Sequence, residues 1–384
     1  MKVTDDVQVV EKEFGELALN MGPQHPSTHG VLRMVLHLRG ETVVRAEPVI
    51  GYLHRGVEKL SENLGYDQLA PIFERDDYLA PTANSLAYVL TVEELAQIEV
   101  PPRARYLRTL MAEMQRLTSH LVWLGTFGLD LGGALGGGTT LFMYCFRERE
   151  KFLDFFEQWT GTRFHTNLNL IGGARYDLND ELRRKAEQLV DELERTLPEL
   201  RAMTGDTPIF QERTRGVGVI PRDLALSVGV TGPVLRASGV ALDLRKVAPY
   251  DAYADVAFEV PVRTSGDAYA RYEVRLEEMV QSIRIIRQIL ENLPSGPIFA
   301  RKPLKNPRAL RVPEGEAYRA VESPRGELGF YIVSDGSWKP LRLKINAPSF
   351  ANLQVVPHIV PGHLVADVVA ILGSLDPVLG DVDR

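Results

Sequence analysis

The chain has 384 residues, 45% of them hydrophobic, and a net charge of −7, which argues against nucleic-acid binding because no basic excess is present to neutralise phosphates. Its single cysteine, Cys145, excludes an intrachain disulfide, a self-held iron–sulfur cluster and a cysteine-rich zinc site. No apolar run approaches the roughly 20 residues that span a bilayer, and the acidic start lacks the core of a secretory signal, so the chain is expected in the cytoplasm, reaching a membrane only through partners.

The first predicted elements are strands within a β region over residues 16–50. Residues 31–38 and 42–48 are rich in branched aliphatic side chains and flank an Arg-Gly-Glu turn, which is typical of a hairpin. The loop before them, at 22–30, reads Gly-Pro-Gln-His-Pro-Ser-Thr-His-Gly and places His25 and His29 four residues apart. Taken alone, this loop favours exposed imidazoles in a stiff turn, with a shared ligand as the alternative.

Helical periodicity predicts the middle of the chain. The clearest helix opens at Pro101-Pro102, because proline lacks the N–H that a first helical turn leaves unpaired, and it carries apolar residues at helical spacing up to Leu124. Gly125 is predicted to end this helix, and Pro198 is predicted to interrupt a later one. The other predicted helices span residues 56–63, 77–96, 140–159, 180–203 and 268–293.

The C-terminal part is predicted to return to β structure. Residues 296–316 are rich in proline and basic residues without periodicity, as in a connector, and strands at 328–334 and 341–345 precede a last helix at 364–375. The predicted fold class is α+β, mainly α. No domain boundary is evident, because the long helices need partners for their apolar faces. We predict one domain over residues 1–384, with an N-terminal β region at about 1–50, a helical core at about 51–295 and a C-terminal β and helix region at about 317–384.

A series of short motifs runs in a fixed order along most of the chain. One reads Gly-Tyr-Leu-His-Arg-Gly-Val-Glu-Lys at 51–59, another Arg-Asp-Asp-Tyr at 75–78, and the last Gly-Asp-Val-Asp-Arg at 380–384. Others lie at residues 22–30, 101–104, 119–120, 147–150, 163–165, 172–173, 235–239, 243–246, 325–329 and 333–336. Each motif is weak alone, but together they specifically resemble one family, the D subunit of bacterial respiratory complex I, the NADH-quinone oxidoreductase.

The resemblance implies a place in a larger enzyme. The chain would be the quinone-site subunit of the peripheral arm, on the cytoplasmic side of the bacterial inner membrane, with the B, C and I subunits and the membrane-embedded H subunit as partners. Electrons from a [4Fe–4S] cluster in the B subunit would reduce quinone, coupled to proton translocation by membrane subunits, and this chain would hold no cofactor. No Gly-x-Gly-x-x-Gly motif follows a strand, so NADH oxidation is expected elsewhere.

The same family is similar to the large subunits of nickel–iron hydrogenases, which implies a hydrogenase-like helical core with small terminal β regions. Those proteins hold their metal with two Cys-x-x-Cys pairs. The matching positions here are Asp77 and Ala80, then Val378 and Asp381. The soft thiolates that nickel needs are absent, so a hydrogenase is nearly eliminated. We expect no metal site, and a former metal cavity that accepts the quinone headgroup.

The resemblance also implies roles for single residues. His29 and Tyr78 match the residues that contact the two quinone oxygens, Asp130 matches the aspartate that pairs with the histidine, and His25 is expected to help bind quinone. A quinone takes up two electrons and two protons, so a hydrogen-bond donor beside each oxygen suits the reaction. A carboxylate beside an imidazole raises the pKa of the imidazole. On residue type alone, Tyr78 would be a packed core aromatic.

Arg75 and His165 match residues that lie close to the partner's [4Fe–4S] cluster. A positive or titrating group beside such a cluster raises its potential and can couple electron arrival to protonation. The plainer interpretations are a surface ion pair for Arg75 and a satisfied core histidine for His165.

Three features depart from the family pattern. Residues 132–138 carry extra glycines and no proline after Asp130, Leu170 stands where an arginine is usual, and the segment before Arg325 is shortened. These departures motivate an alternative function, an interaction protein of the same fold whose quinone chemistry is lost or changed.

Overall fold

The N-terminal region is an antiparallel sheet. A computed structural model describes residues 7–12, 16–25, 29–132, 138–300 and 309–384. The strands are β1 (Val7–Lys12), β2 (Glu16–Met21), β3 (Arg33–Arg39) and β4 (Thr42–Val49). They pair in chain order, and alternate residues of β3, Met34, Leu36 and Leu38, are buried, so one face of the sheet packs on the core. The two predicted strands are confirmed as β3 and β4, and β1 and β2 lie within the predicted N-terminal β region, where no separate strands were predicted.

Helices form the core between the two β regions. They are α1 (Val57–Ser61), α2 (Tyr66–Phe73), α3 (Pro81–Ala96), α4 (Pro102–Asp130), α5 (Thr139–Thr160), α6 (Asp180–Ala202), α7 (Pro208–Thr214), α8 (Arg222–Val228), α9 (Gly232–Ala237), α10 (Leu244–Val247) and α11 (Ala268–Glu291), with a short strand pair β5 (Asn169–Leu170) and β6 (Gly173–Ala174). All six predicted helices are present. The prediction that Pro198 interrupts α6 is wrong, because this exposed proline removes one N–H from a helix whose carbonyls there can turn to water.

The central helix α4 is longer than predicted. The prediction that Gly125 ends it is wrong, since α4 continues to Asp130. A Cβ at Gly125 would lie 3.3 Å from Phe142 Cα and 3.3 Å from Cys145 Cβ of α5. This glycine therefore allows two helices to pack closely and does not terminate α4. The extra turn and a half carries Asp130 to the end of the helix, where its side chain meets that of His29.

The start of α3 also differs from the prediction. The helix begins at Pro81 rather than at Asp77, because the Asp77 carboxylate accepts hydrogen bonds from the N–H groups of Leu79 at 3.0 Å and Ala80 at 3.1 Å. An aspartate that binds the backbone two and three residues onward stabilises a turn. Tyr78 therefore lies in this turn and not in the helix.

The C-terminal region combines a second antiparallel sheet with short helices. Its elements are β7 (Gly315–Ser323), β8 (Gly326–Ser334), β9 (Arg342–Asn346), α12 (Pro348–Leu353), α13 (Val356–Ile359), α14 (Val365–Leu375) and α15 (Leu379–Asp383). The predicted strands β8 and β9 and the predicted helix α14 are confirmed. The mainly α fold class with β regions at both ends is confirmed as well. Within the described ranges, none of the helices is both long enough and apolar enough to cross a membrane.

Candidate active site

A cavity of about 490 Å³ lies where the end of α4, the turn before α3 and the turn after α14 meet. Its lining brings together three residues that the sequence predicted for the site. The lining residues are His29, Gly30, Tyr78, Leu79, Val122, Trp123, Thr126, Leu129, Asp130, Asp376, Pro377 and Val378. A larger cavity of about 670 Å³, between the end of α3 and β7, contains none of the predicted site residues. The smaller cavity is therefore the better candidate for chemistry.

His29 and Asp130 form a buried pair in this cavity. His29 Nε2 lies 2.5 Å from Asp130 Oδ2, and their side chains are 11% and 7% exposed. A carboxylate at the C-terminal end of a helix is electrostatically unfavourable, so the imidazole explains why Asp130 is stable there. His29 has a φ of 56°, in the left-handed region that residues other than glycine seldom adopt. Such strained backbone is concentrated at functional sites.

The environment of the pair favours a shared proton. Burial lowers the pKa of His29, but the hydrogen bond and charge of Asp130, with a contribution from Asp376, outweigh burial and raise it above its usual value. Burial also raises the pKa of the Asp130 carboxyl, an effect that His29 offsets only in part. Both directions favour protonation of the pair, so His29 is suited to donate a proton into the cavity.

Tyr78 presents a second donor to the same cavity. Its side chain is 37% exposed, and burial, together with the nearby charge of Asp77, raises the pKa of its phenol. The hydroxyl therefore stays protonated at neutral pH and can donate a hydrogen bond. Arg325 acts in the opposite direction on this pKa, so a positive charge is close enough to stabilise the phenolate that remains after proton loss.

A buried charge cluster behind Tyr78 was not predicted. The guanidinium of Arg325 donates to Asp77 Oδ2 at 2.8 Å and lies 3.5 Å from Asp376 Oδ1. Asp376 has a φ of 58°, and its Oδ2 has no hydrogen-bond partner among the described residues. Burial raises the pKa of Asp376, although Arg325 and Arg275 oppose the shift. An unpaired buried carboxylate oxygen in a cavity wall marks a place that a ligand or water can satisfy.

The positions that match hydrogenase metal ligands lie in this neighbourhood. Asp77 binds Arg325, Val378 lines the cavity, and Asp381 Oδ2 accepts a hydrogen bond from the N–H of Ser349 at 2.8 Å. Burial raises the pKa of Asp381 to about 6. Within the described part of the chain, no three His, Cys, Asp or Glu side chains converge as metal ligands would. The buried guanidinium of Arg325 places a positive charge beside two of these carboxylates, Asp77 and Asp376.

Arg75 and His165 lie together, but not in the cavity. Arg75 is exposed and donates to the carbonyl of Pro71. His165 is partly buried, and its pKa is lowered by burial and by the positive charges of Arg75 and Arg55. These residues form a cationic surface patch, which we call the Arg75–His165 patch.

His25 lies in the loop at residues 22–30, where it forms an antiparallel bridge with Gly30. It does not line the cavity, and its role in binding quinone stays a prediction. Residues 26–28 of this loop and residues 133–137 of the glycine-rich segment lie outside the described residues. Of the predicted catalytic set, His29, Asp130 and Tyr78 therefore meet in one cavity.

Comparison with known proteins defines first the class and then the family. The fold matches a chain from the membrane-bound sulfane sulfur reductase (MBS), an archaeal respiratory membrane complex, with a TM-score of 0.93 and 38% identity over 98% of this chain and 100% of that chain. The class is therefore that of a subunit found in respiratory membrane complexes. A family model described as "Respiratory-chain NADH dehydrogenase, 49 Kd subunit" matches residues 136–384.

Curated relatives agree with this match over nearly the whole chain. The NADH-quinone oxidoreductase D subunit of Clostridium beijerinckii is 48% identical over 96% of this chain and 97% of its own length. The D subunits of Desulforamulus reducens and Akkermansia muciniphila are 47% and 45% identical, each over 96% of this chain and over 98% and 93% of their own lengths. The chain belongs to the 49 kDa subunit family of respiratory-chain NADH dehydrogenase, known in bacteria as the D subunit of NADH-quinone oxidoreductase. The family predicted from the motifs is confirmed.

Proposed function

We propose that this chain is the quinone-site subunit of complex I, an NADH:quinone oxidoreductase that translocates protons. The observation that carries the proposal is the meeting of His29, Asp130 and Tyr78 in one cavity. These groups supply two hydrogen-bond donors of different chemistry, one of them held by a carboxylate. Family membership supports the same conclusion, because the curated relatives are named for this enzyme.

The proposed reaction needs two electrons and two protons for each quinone. When bound in the partner B subunit, a [4Fe–4S] cluster would supply the electrons. His29 and Tyr78 would each donate a proton to a quinone oxygen and then recover one from solvent, so that quinol leaves with both protons. Asp130 stabilises the protonated imidazole before transfer, and Arg325 stabilises the Tyr78 phenolate after transfer. Membrane subunits would couple this reaction to proton translocation.

The proposed partners are the B, C and I subunits and the membrane-embedded H subunit, on the cytoplasmic face of the cell membrane. The Arg75–His165 patch would face the cluster of the B subunit, where positive charge favours the reduced cluster. His165 suits this role because its lowered pKa keeps it neutral near pH 7, so that it gains a proton only when negative charge arrives beside it.

A second candidate function is reduction of another terminal acceptor. The similar archaeal chain belongs to a sulfane sulfur reductase, so this fold also serves in a complex named for sulfur chemistry. The glycine-rich segment after Asp130 and Leu170 are the departures that favour such a change. A complex that reduces polysulfide with NADH but leaves quinone unreduced would identify this second function.

Filling the cavity should block quinone without disturbing electron entry. Leu129 lines the cavity and is 41% exposed, so Leu129→Trp should be accommodated while it takes the space of the headgroup. In the purified complex we expect quinone reduction to fall at least roughly tenfold, with NADH–ferricyanide reductase retained. The matched control is Met143→Trp, because Met143 is 61% exposed on α5 and does not line the cavity. Equal quinone rates in both variants would contradict the proposed site.

The pH dependence of quinone reduction should report the His29–Asp130 pair. Since Asp130 raises the pKa of His29, the imidazole stays protonated to higher pH, and the rate should fall as pH rises through that pKa. In Asp130→Asn the carboxylate is lost while burial remains, so this alkaline decline should move roughly one to two pH units lower. Asp154→Asn, which changes an exposed aspartate paired with Arg163, is the control. An unchanged profile in Asp130→Asn would exclude protonated His29 as the donor.

A further inference from the structure

The His29–Asp130 pair has a third neighbour, the bare backbone of Gly373 in the last turn of α14. A Cβ added there would lie 2.5 Å from Asp130 Oδ2 and 3.2 Å from His29 Nε2, the two atoms that touch in the pair. It would also lie 2.9 Å from Phe127 Cδ2. A methyl carbon cannot approach an oxygen to 2.5 Å, so any residue other than glycine would push on the contact between the two catalytic groups.

The C-terminal end of the helix that carries Gly373 is held in place by side-chain donors. The indole N–H of Trp123 donates to the carbonyl of Gly373 at 2.8 Å. Arg275 donates to the next two carbonyls, those of Ser374 at 2.8 Å and Leu375 at 3.2 Å. The guanidinium of Arg275 also lies 4.5 Å from the centre of the Trp123 ring. Side chains of α4 and α11 thus bind three successive carbonyls at the C-terminal end of α14, and the Gly373 carbonyl also accepts a hydrogen bond from the N–H of Asp376 at 3.3 Å.

These contacts limit how a larger residue could be accommodated. Moving α14 away from the pair would stretch the hydrogen bonds from Trp123 and Arg275, both of which are buried. Trp123 stands on the same helix as Asp130, seven positions earlier, so α4 fixes both the carboxylate and the glycine that packs on it. The easier response to a methyl group is rotation of the Asp130 or His29 side chain, which separates the pair.

We infer that Gly373 is a positioning residue for proton donation. Because it has no side chain, His29 and Asp130 can stay in close contact while the backbone of α14 packs directly against them. The inference rests on the proposed quinone function. The charged and titratable groups that face His29 are Asp130 from α4 and Asp376 from the turn after α14, with Tyr78 across the cavity. Of these, Asp130 is the group in direct contact, so it is the one that a change at Gly373 would displace.

The test is Gly373→Ala in the complete complex, with quinone reduction followed across pH. We expect a loss of roughly ten- to a hundredfold and an alkaline decline moved to lower pH in the direction expected for Asp130→Asn, with NADH–ferricyanide reductase retained. Gly125→Ala is the matched control, because it adds the same methyl group to α4 where the nearest atoms of α5 lie at 3.3 Å. A glycine needed only for helix packing would reduce assembly and leave the pH profile of the assembled enzyme unchanged, and that result would overturn the inference.

A variant that combines Gly373→Ala with Asp130→Asn distinguishes a failure of this inference from a failure of the proposed function. In an Asp130→Asn background, Gly373→Ala should move the pH profile no further, because the contact it disturbs is already lost. A further shift would overturn the inference. If Asp130→Asn alone leaves the profile unchanged, the proposed role of the pair fails first. Should Gly373→Ala not assemble, Trp123→Phe is the second test. It removes the indole donor from the Gly373 carbonyl, which keeps its hydrogen bond from the N–H of Asp376, and it adds no methyl group. A smaller shift in the same direction supports the inference, and an unchanged profile rejects it.

Discussion

Tyr78→Phe should leave the complex assembled and able to reduce ferricyanide with NADH, while quinone reduction falls roughly ten- to a thousandfold. The substitution removes one hydroxyl and little volume from a side chain that is 37% exposed in the cavity. Because burial raises the pKa of Tyr78, the phenol is protonated at neutral pH and the lost group is a donor. The substitution should therefore lower the rate of quinone reduction and leave the stability of the complex almost unchanged.

A buried tyrosine elsewhere provides the comparison. Tyr88 is fully buried in α3, and its hydroxyl donates to the carbonyl of Tyr66 at 2.8 Å. Tyr88→Phe should cost about 1 kcal/mol of stability and leave turnover of the assembled enzyme unchanged. Both ratios, quinone reduction to ferricyanide reduction and activity to assembled protein, should be measured on the same membranes. A Tyr78→Phe enzyme that behaves like Tyr88→Phe would remove Tyr78 from the chemistry and favour the altered-site alternative.

The elements that the sequence predicted well are those with one apolar face. The helices α5, α6, α11 and α14 and the strands β3, β8 and β9 alternate or repeat their hydrophobic residues at the period of the structure they form. Strands β1 and β7 were not predicted individually, because each carries charged residues, as expected for edges of a sheet. Gly125 misled the prediction because glycine both ends helices and lets helices pack closely, and only the position of α5 distinguishes the two.

The candidate site was predictable only through the resemblance. From pattern alone, His29 is an imidazole in a turn and Tyr78 a core aromatic, and no spacing links either to Asp130. The residues that the sequence missed act through contacts between distant parts of the chain: Arg325 and Asp77 are 248 positions apart. A search for functional side chains cannot find Gly373, because its contribution is the space that it leaves for Asp130.

A buried polar face on α4 was also not predicted, because the elements that cover it are distant in the sequence. Its apolar stripe, which includes Met111 and Leu117, was predicted and is fully buried. Polar residues on the opposite face would ordinarily face solvent. Here, however, Glu113, Arg116 and His120 are at most 1% exposed, because α11 and β7 cover that side. Their charges are balanced by groups on these elements and by Arg245 of α10 rather than by water.

Glu113 is the centre of this network. Its carboxylate accepts hydrogen bonds from the hydroxyls of Tyr253 at 2.5 Å and Ser282 at 2.6 Å. Arg245 and Arg116 lie 3.1 Å and 3.3 Å from it. Burial alone would raise the pKa of Glu113, but the two arginines and the two hydroxyls together lower it to about 2. The carboxylate is therefore ionised throughout the neutral range, and its stabilising effect is lost only as pH falls toward that value.

Glu113→Ala should accordingly destabilise the chain by about 3–5 kcal/mol, since it leaves two arginines buried without their shared counter-charge and two hydroxyls without an acceptor. The comparison is Glu194→Ala, which removes a carboxylate that also pairs with an arginine, Arg287, but at a side chain 46% exposed. Water replaces that partner, so the loss should stay below about 1 kcal/mol. The thermal midpoint of the purified complex and the amount assembled in membranes measure both variants. Equal stability of Glu113→Ala and Glu194→Ala would mean that the buried network adds no more to folding than a surface ion pair does. The contacts around Glu113 instead predict that Glu113→Ala is by far the less stable variant.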